Sequence, residues 1–297
     1  MYQHIAQNKR RTWLLLASFV ALVAALDYVM ARAFGQQSLT IPIMIFGFGY
    51  AALSYYFSAN IALATSGARA VTKQQAPEVY RIVENLTIAS GLPMPKIYMI
   101  DDPSPNAFAT GRDPQHAAVA VTSGIVRLLD KPELEGVLAH ELSHVGNYDI
   151  RYMGLVMALV SVVSLIADLF LRISFWAGDD DNAGAGGQFF FVLGIVGALL
   201  APLVAAVIQM AVSRQREYLA DASGALLTRY PDGLARALEK IGAYAEQRPL
   251  AHANSATAPL YIANPLSGKF FAHMFDTHPP MAERIARLRQ MDDRHGV

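Results

Sequence analysis

Four long apolar runs divide this chain, and they limit what the polar remainder can build. The first opens at Trp13 and ends near Met30, and the second covers Ile41 to about Ala64. The third covers Tyr152 to about Leu171, and the fourth Phe189 to Val212. A helix needs about 20 residues to cross the hydrocarbon core, so each run is long enough. Basic residues mark one side: Lys9, Arg10 and Arg11 before the first run, Arg151 before the third, Arg214 and Arg216 after the fourth, with Arg172 as an exception. An excess of lysine and arginine identifies the cytoplasmic ends. The expected architecture is a mainly α membrane protein with four transmembrane helices. Its order is a membrane hairpin over 1–65, a polar part over 66–150, a second hairpin over 151–212 and a polar part over 213–297.

Two alternatives stay open along the runs. Ala31-Arg32-Ala33 loosely resembles a signal-peptide cleavage site, although Asp27, Arg32 and the second apolar run argue for a retained span. Asp168 and Gln209 inside the third and fourth runs leave a reading of these two as buried core helices or an interfacial hairpin.

Within the first polar part, Gln75 to Ser90 reads as a helix with Val79, Ile82, Val83 and Leu86 on one face. Three strand-like pieces follow, Lys96 to Ile100, Asn106 to Thr110 and Ala117 to Thr122. Asp130-Lys-Pro132-Glu133 is a helix start. That helix carries Val137-Leu-Ala-His140-Glu141-Leu-Ser-His144. Histidines four apart share a helix face, which brings both imidazoles within reach of one metal ion with Glu141 beside them as general base. This is the zinc-peptidase spacing. In the second polar part, Gly233 to Gln247 reads as an amphipathic helix, and a last helix follows Asp276-Thr-His278-Pro-Pro280 and runs through Met291.

Composition narrows the ligands. The chain has no cysteine, so a metal site must use nitrogen and oxygen. It is 54% hydrophobic with a formal net charge of zero, which gives no electrostatic case for nucleic acid. A catalytic zinc site keeps three protein ligands. Glu217, in Ser213-Arg-Gln-Arg-Glu217-Tyr-Leu-Ala-Asp221, is the candidate for the third. Asp221 shares its helical face and can accept a hydrogen bond from the outer nitrogen of a ligating histidine. Almost everything between His144 and Glu217 is the third and fourth runs, and two crossings return the chain to the side it left. His4, His116, His252, His273 and His295 have no partner at ligand spacing. Asn147 and Asp149 are read as closing the catalytic helix or reaching a neighbouring loop rather than the metal.

Asn106-Ala-Phe-Ala-Thr-Gly111, the His140 to His144 helix, Ser213 to Asp221 and Thr277-His-Pro-Pro280, in this order among the apolar runs, resemble the HtpX-type membrane zinc metallopeptidases, related to the CAAX prenyl endopeptidases. The resemblance covers essentially the whole chain. It implies a zincin-like α+β domain with a small sheet facing the cytosol from the bacterial inner membrane. One Zn²⁺ per chain would be held by His140, His144 and Glu217. Endoproteolysis of membrane proteins, as quality control, is the implied activity. Asn106, Ala107, Phe108 and Ala109 would form the edge strand that pairs with an extended substrate. An ordinary core strand is the competing reading there. His278 would stand at the tetrahedral intermediate, against the plainer reading of Thr277 to Pro280 as a helix start.

Other classes fit the residues less well. An intramembrane protease of the site-2 type would take its third ligand from Asp232-Gly233, but that pair follows Tyr230-Pro231 in a polar segment where helix initiation explains it. A metal-holding binding protein without turnover has no need of Glu141. A transporter or channel fits poorly with so few buried ionisable groups in the runs and so large a polar portion.

Overall fold

The computed structural model describes residues 17, 40–158, 214–245, 250, 257–263 and 279–293. The first and fourth apolar runs, most of the third, the acidic turn between the last two, and His278 lie outside the described residues. By internal contacts the chain divides into two compact units, one gathering Ser58–Gly154 with Val212–Val297, the other Ala6–Phe57 with Leu155–Ala211.

In the second of these units, α1 (Thr40–Tyr56) carries most of the second apolar run. Among its described side chains, Ile45 is 68% and Leu53 60% exposed. The run is divided at Phe57 rather than continuous, and its last part forms α2 (Ser58–Thr65) in the first unit. Among the described residues no helix is long and apolar enough to cross a membrane.

The first unit holds a four-stranded sheet: β1 (Arg69–Ala70), β2 (Lys96–Ile100), β3 (Ala107–Thr110) and β4 (Ala118–Thr122), in the order β1-β2-β4-β3. β2 and β4 are parallel, and the other two pairings are antiparallel. Every residue of β3 and β4 is buried, which suits their run of alanine, valine and phenylalanine. Against the sheet pack α3 (Pro77–Ser90), through the predicted face of Val79, Ile82, Val83 and Leu86, and the catalytic helix α5 (Lys131–Gly146), which follows the short α4 (Ser123–Leu128).

α5 begins where the sequence places it. The Asp130 carboxylate accepts from the Glu133 amide at 3.0 Å, and the Glu133 carboxylate accepts from the Asp130 amide at 2.9 Å. This reciprocal cap satisfies two otherwise unpaired donors. The buried Glu133 also takes Lys240 at 2.6 Å, from α7 (Pro231–Ala245). α5 is held between α7 and α6 (Arg214–Thr228) by direct backbone contact. A Cβ on Gly136 would stand 2.7 Å from the Leu234 amide nitrogen, and one on Gly224 would stand 2.9 Å from that of His140. Only a hydrogen fits at either place. α8 (Met281–Asp293) closes the core through Leu288.

Candidate active site

α5 places His140 and His144 one turn apart, with ring centroids 4.7 Å apart and planes at 89°. Their Nε2 atoms converge to 3.2 Å. α6 brings Glu217 to meet them, Oε2 at 3.8 Å from His140 Nε2 and Oε1 at 3.6 Å from His144 Nε2. One ligand atom from each of the three lies within 4.8 Å of the others. Tetrahedral zinc with bonds near 2.0–2.1 Å separates its ligand atoms by roughly 3.3 Å, so the set of two nitrogens and one oxygen fits that ion with small adjustments.

Each imidazole is oriented from behind by a carboxylate. His140 Nδ1 is 3.0 Å from Asp221 Oδ1, as expected from the shared helical face. His144 Nδ1 is 3.1 Å from Asp149 Oδ2. The sequence reading has Asn147 and Asp149 closing the helix or reaching a neighbouring loop rather than the metal; Asn147 is the C-cap of α5, whereas Asp149 turns back to His144. Tyr148 adopts a left-handed backbone with φ 61°, which turns the chain at the end of α5 and returns Asp149 to the histidine. A non-glycine residue in that region costs roughly 1–3 kcal/mol and persists where its surroundings hold it.

Asp221 is itself held by Arg284 of α8, whose Nε and Nη2 donate to the two carboxylate oxygens at 2.9 and 2.7 Å. Burial pushes the Asp221 carboxyl up, but the Arg284 charge, the close approach of His140 and the hydrogen bonds from Arg284 outweigh it and bring the pKa to about 2. Arg284 also donates to the Ile262 carbonyl at 3.3 Å and stands 3.7 Å from Glu217. His144 loses proton affinity by burial, but Asp149, Glu217 and Glu141 more than restore it and raise its pKa to about 9. Burial raises the Glu141 carboxyl; the two histidines and the Ala109 backbone amide oppose that rise, and Glu217 reinforces it. A carboxylate held above its ordinary range suits a general base.

The cleft in front of these groups encloses about 430 Å³, including space open to solvent. Ala109 and Ile150 line it, as do Arg216 and the segment Pro259–Ile262. β3 is one of the two edge strands of the sheet, β1 being the other. Of the four candidate substrate residues, Asn106 to Ala109, only Ala109 lines the cleft. The Ala107 carbonyl accepts from the Ile262 amide at 3.0 Å, and the Asn106 side chain donates to the Ala263 carbonyl at 3.0 Å. Phe108 packs edge-on against Tyr261 at 5.0 Å. Asp232 lies far in role from the metal group: it opens α7 and pairs with Arg236 at 3.3 Å. His116 is an exposed partner of Asp113.

Arg284, Asp149 and Arg216 were not singled out as site residues in the sequence. Arg284 left one usable signal, since it occupies the apolar face of α8, four residues before the buried Leu288. Asp149 left none, because its approach depends on the backbone of Tyr148.

Two histidines one turn apart, a buried glutamate between them and a third candidate ligand from a second helix are the arrangement of a metallopeptidase of the His-Glu-x-x-His class. The family model "Peptidase family M48" matches residues 73–292, and the chain belongs to that family. It is 49% identical over 291 residues to a protease HtpX homolog of Tropheryma whipplei (strain Twist), covering 98% of each chain. It is 44% identical over 298 residues to one of Ligilactobacillus salivarius (strain UCC118), covering 98% of this chain and 100% of the relative. The crystal structure of S. mikatae Ste24p shares the fold, with a TM-score of 0.51 at 20% identity over 97% of this chain and 67% of that one.

Proposed function

We propose that this metallopeptidase is a zinc endopeptidase of the bacterial inner membrane. Its catalytic domain, built from 66–150 and 213–297, works on the cytosolic side and cuts misfolded or damaged membrane proteins as quality control. The observation that carries the catalytic part is the convergence of His140, His144 and Glu217 around one point with Glu141 buried beside it. The four apolar runs and the basic residues at their ends support the membrane setting, in which the bilayer is a standing partner, with membrane hairpins over 1–65 and 151–212. Zero net charge gives no reason to add nucleic acid to the partners.

His140, His144 and Glu217 would hold Zn²⁺, which acidifies water and polarises a scissile carbonyl. Glu141 takes the proton of the attacking water on its carboxylate and passes it to the leaving amine. Asp221 and Asp149 keep the outer imidazole nitrogens protonated, which leaves both Nε2 atoms as lone-pair donors. Ala109, at the cleft end of β3, would receive main-chain hydrogen bonds from an extended peptide, with Asn106 to Phe108 holding the strand in place. His278 is assigned to the oxyanion by resemblance.

The deciding experiment measures metal content and cleavage of a membrane-protein substrate for the parent chain and Glu217→Ala in parallel. One zinc and cleavage in the parent, with both lost in the variant, is the expected result. A variant that keeps zinc and activity would remove Glu217 from the site, and a parent that holds zinc but cuts nothing would sink the peptidase assignment.

A further inference from the structure

Among the described residues that line the cleft, Arg216 is a cation whose guanidinium makes no hydrogen bond. Arg216 sits beside Glu217 in the first turn of α6 and is 6% exposed. Its guanidinium lies 3.7 Å above the Tyr152 ring, and its Nε is 3.9 Å from Asp149 Oδ1. These contacts stabilise the charge, but neither is a hydrogen bond, and Nε, Nη1 and Nη2 all lack a hydrogen-bond partner. A guanidinium carries five N–H donors in a fixed fork. Burying such a group with no acceptor is costly. Arg284, on the other side of the same histidine pair, shows the contrast, since Asp221 and the Ile262 carbonyl take up its donors. Arg216 lines the cleft together with Glu141, His140, His144 and Glu217; its three nitrogens are closed to solvent, so the guanidinium must turn towards the cleft to meet an acceptor there.

Charge favours a neutral acceptor. Four carboxylates surround the histidines: Glu141, Asp149, Glu217 and Asp221. Arg216, Arg284 and the proposed divalent ion would balance them. Another full negative charge would upset that balance, whereas a peptide carbonyl would not.

We propose that Arg216 is a substrate-contacting residue whose guanidinium donates to main-chain carbonyls of an extended peptide beside the scissile bond. The contact selects for internal peptide backbone, independent of side chains. This rests on the peptidase function of the site.

The test uses the full chain and an unstructured peptide capped at both ends. Peptide affinity is read by fluorescence anisotropy on protein carrying Glu141→Gln, and kcat/KM is read on protein with Glu141 intact. Arg216→Met keeps an unbranched stem over Tyr152, and Arg216→Lys keeps the charge without the fork. Hydrogen bonds to charged groups predict a loss of about 10- to 100-fold in affinity and in kcat/KM for Arg216→Met. Arg216→Lys should recover only part of it, and zinc content should stay unchanged in both. A series of peptides with single amides replaced by alkenes adds a cycle. At one position the replacement should cost the parent a similar factor and cost Arg216→Met nothing further.

Unchanged affinity in Arg216→Met would overturn the proposal. So would loss of zinc in both variants, since Arg216 would then act through Asp149 on His144. A parent preference for peptides with a free carboxyl terminus, abolished in Arg216→Met, would replace the carbonyl with a terminal carboxylate and equally overturn it. A parent that cleaves none of the peptides counts against the peptidase function alone, because the binding series on Glu141→Gln still decides the role of Arg216.

Discussion

Arg284 grips Asp221 through two parallel hydrogen bonds, at 2.9 and 2.7 Å, with its guanidinium wholly withdrawn from solvent. The same carboxylate oxygen that takes Nη2 stands 3.0 Å from His140 Nδ1, so three helices meet on one aspartate. Removing one partner of a buried pair costs roughly 3–5 kcal/mol because the other charge is left uncompensated. Arg284→Met should lower the unfolding free energy by about that amount and release metal, as read by thermal denaturation and metal analysis. An Arg284→Met variant with normal zinc and an unshifted midpoint would show the pair to be dispensable.

The two outer carboxylates should act separately on the two imidazoles. Asp149→Asn and Asp221→Asn each keep shape while removing a charged acceptor, and partners of this kind are worth about 10- to 100-fold in metal affinity. Competition with a chelator of known strength measures both. Equal affinity for Asp149→Asn and the parent would mean that the left-handed turn at Tyr148 serves the fold alone.

Glu141→Gln should retain zinc and the fold and lose turnover by at least about 100-fold, within the range attributed to general acid–base catalysis. A metal-loaded glutamine variant with near-parental kcat would assign proton transfer to another group.

Gly224→Ala would press a methyl group into the His140 backbone, with contacts of 2.9 Å to its nitrogen and 3.1 Å to its Cα. Overpacking of this sort costs about 1–3 kcal/mol, and here it also displaces His140, a proposed metal ligand. Gly242→Ala on α7 is the control, because its Cβ would meet only Met281 Cγ at 3.8 Å and the helix gains propensity. The two variants should shift the midpoint in opposite directions. A shift of the same sign would refute the steric account.

Much of this site is written locally, and that part is legible in the sequence. The reciprocal cap at Asp130 and Glu133, the strand from Lys96 to Ile100 and the pairing of Glu217 with Asp221 on one face all follow from short-range spacing. Glu217 needed one more step, the even number of apolar runs between it and His144. The remainder depends on contacts that spacing does not encode. Arg284 is a charged residue in an apolar stripe, and periodicity alone treats it as a flaw rather than a clamp. Gly224 looks like a weak point in a helix until another backbone is placed against it. The hold of Ile262 on Ala107 comes from a segment more than 150 positions away, so Asn106 to Phe108 read as an open edge when part of that edge is already taken.

The metal group is assembled from both halves of its unit, with the imidazoles on α5 and the carboxylate on α6, and Arg284 arrives later still on α8. During synthesis the ribosome therefore delivers two histidines and a base well before it delivers the residues that complete them. A growing chain that ends anywhere before Glu217 lacks the proposed third metal ligand. If these residues hold the metal as proposed, hydrolytic competence waits for α6 to be made, so the order of the helices along the chain keeps the two histidines and the base inactive until then.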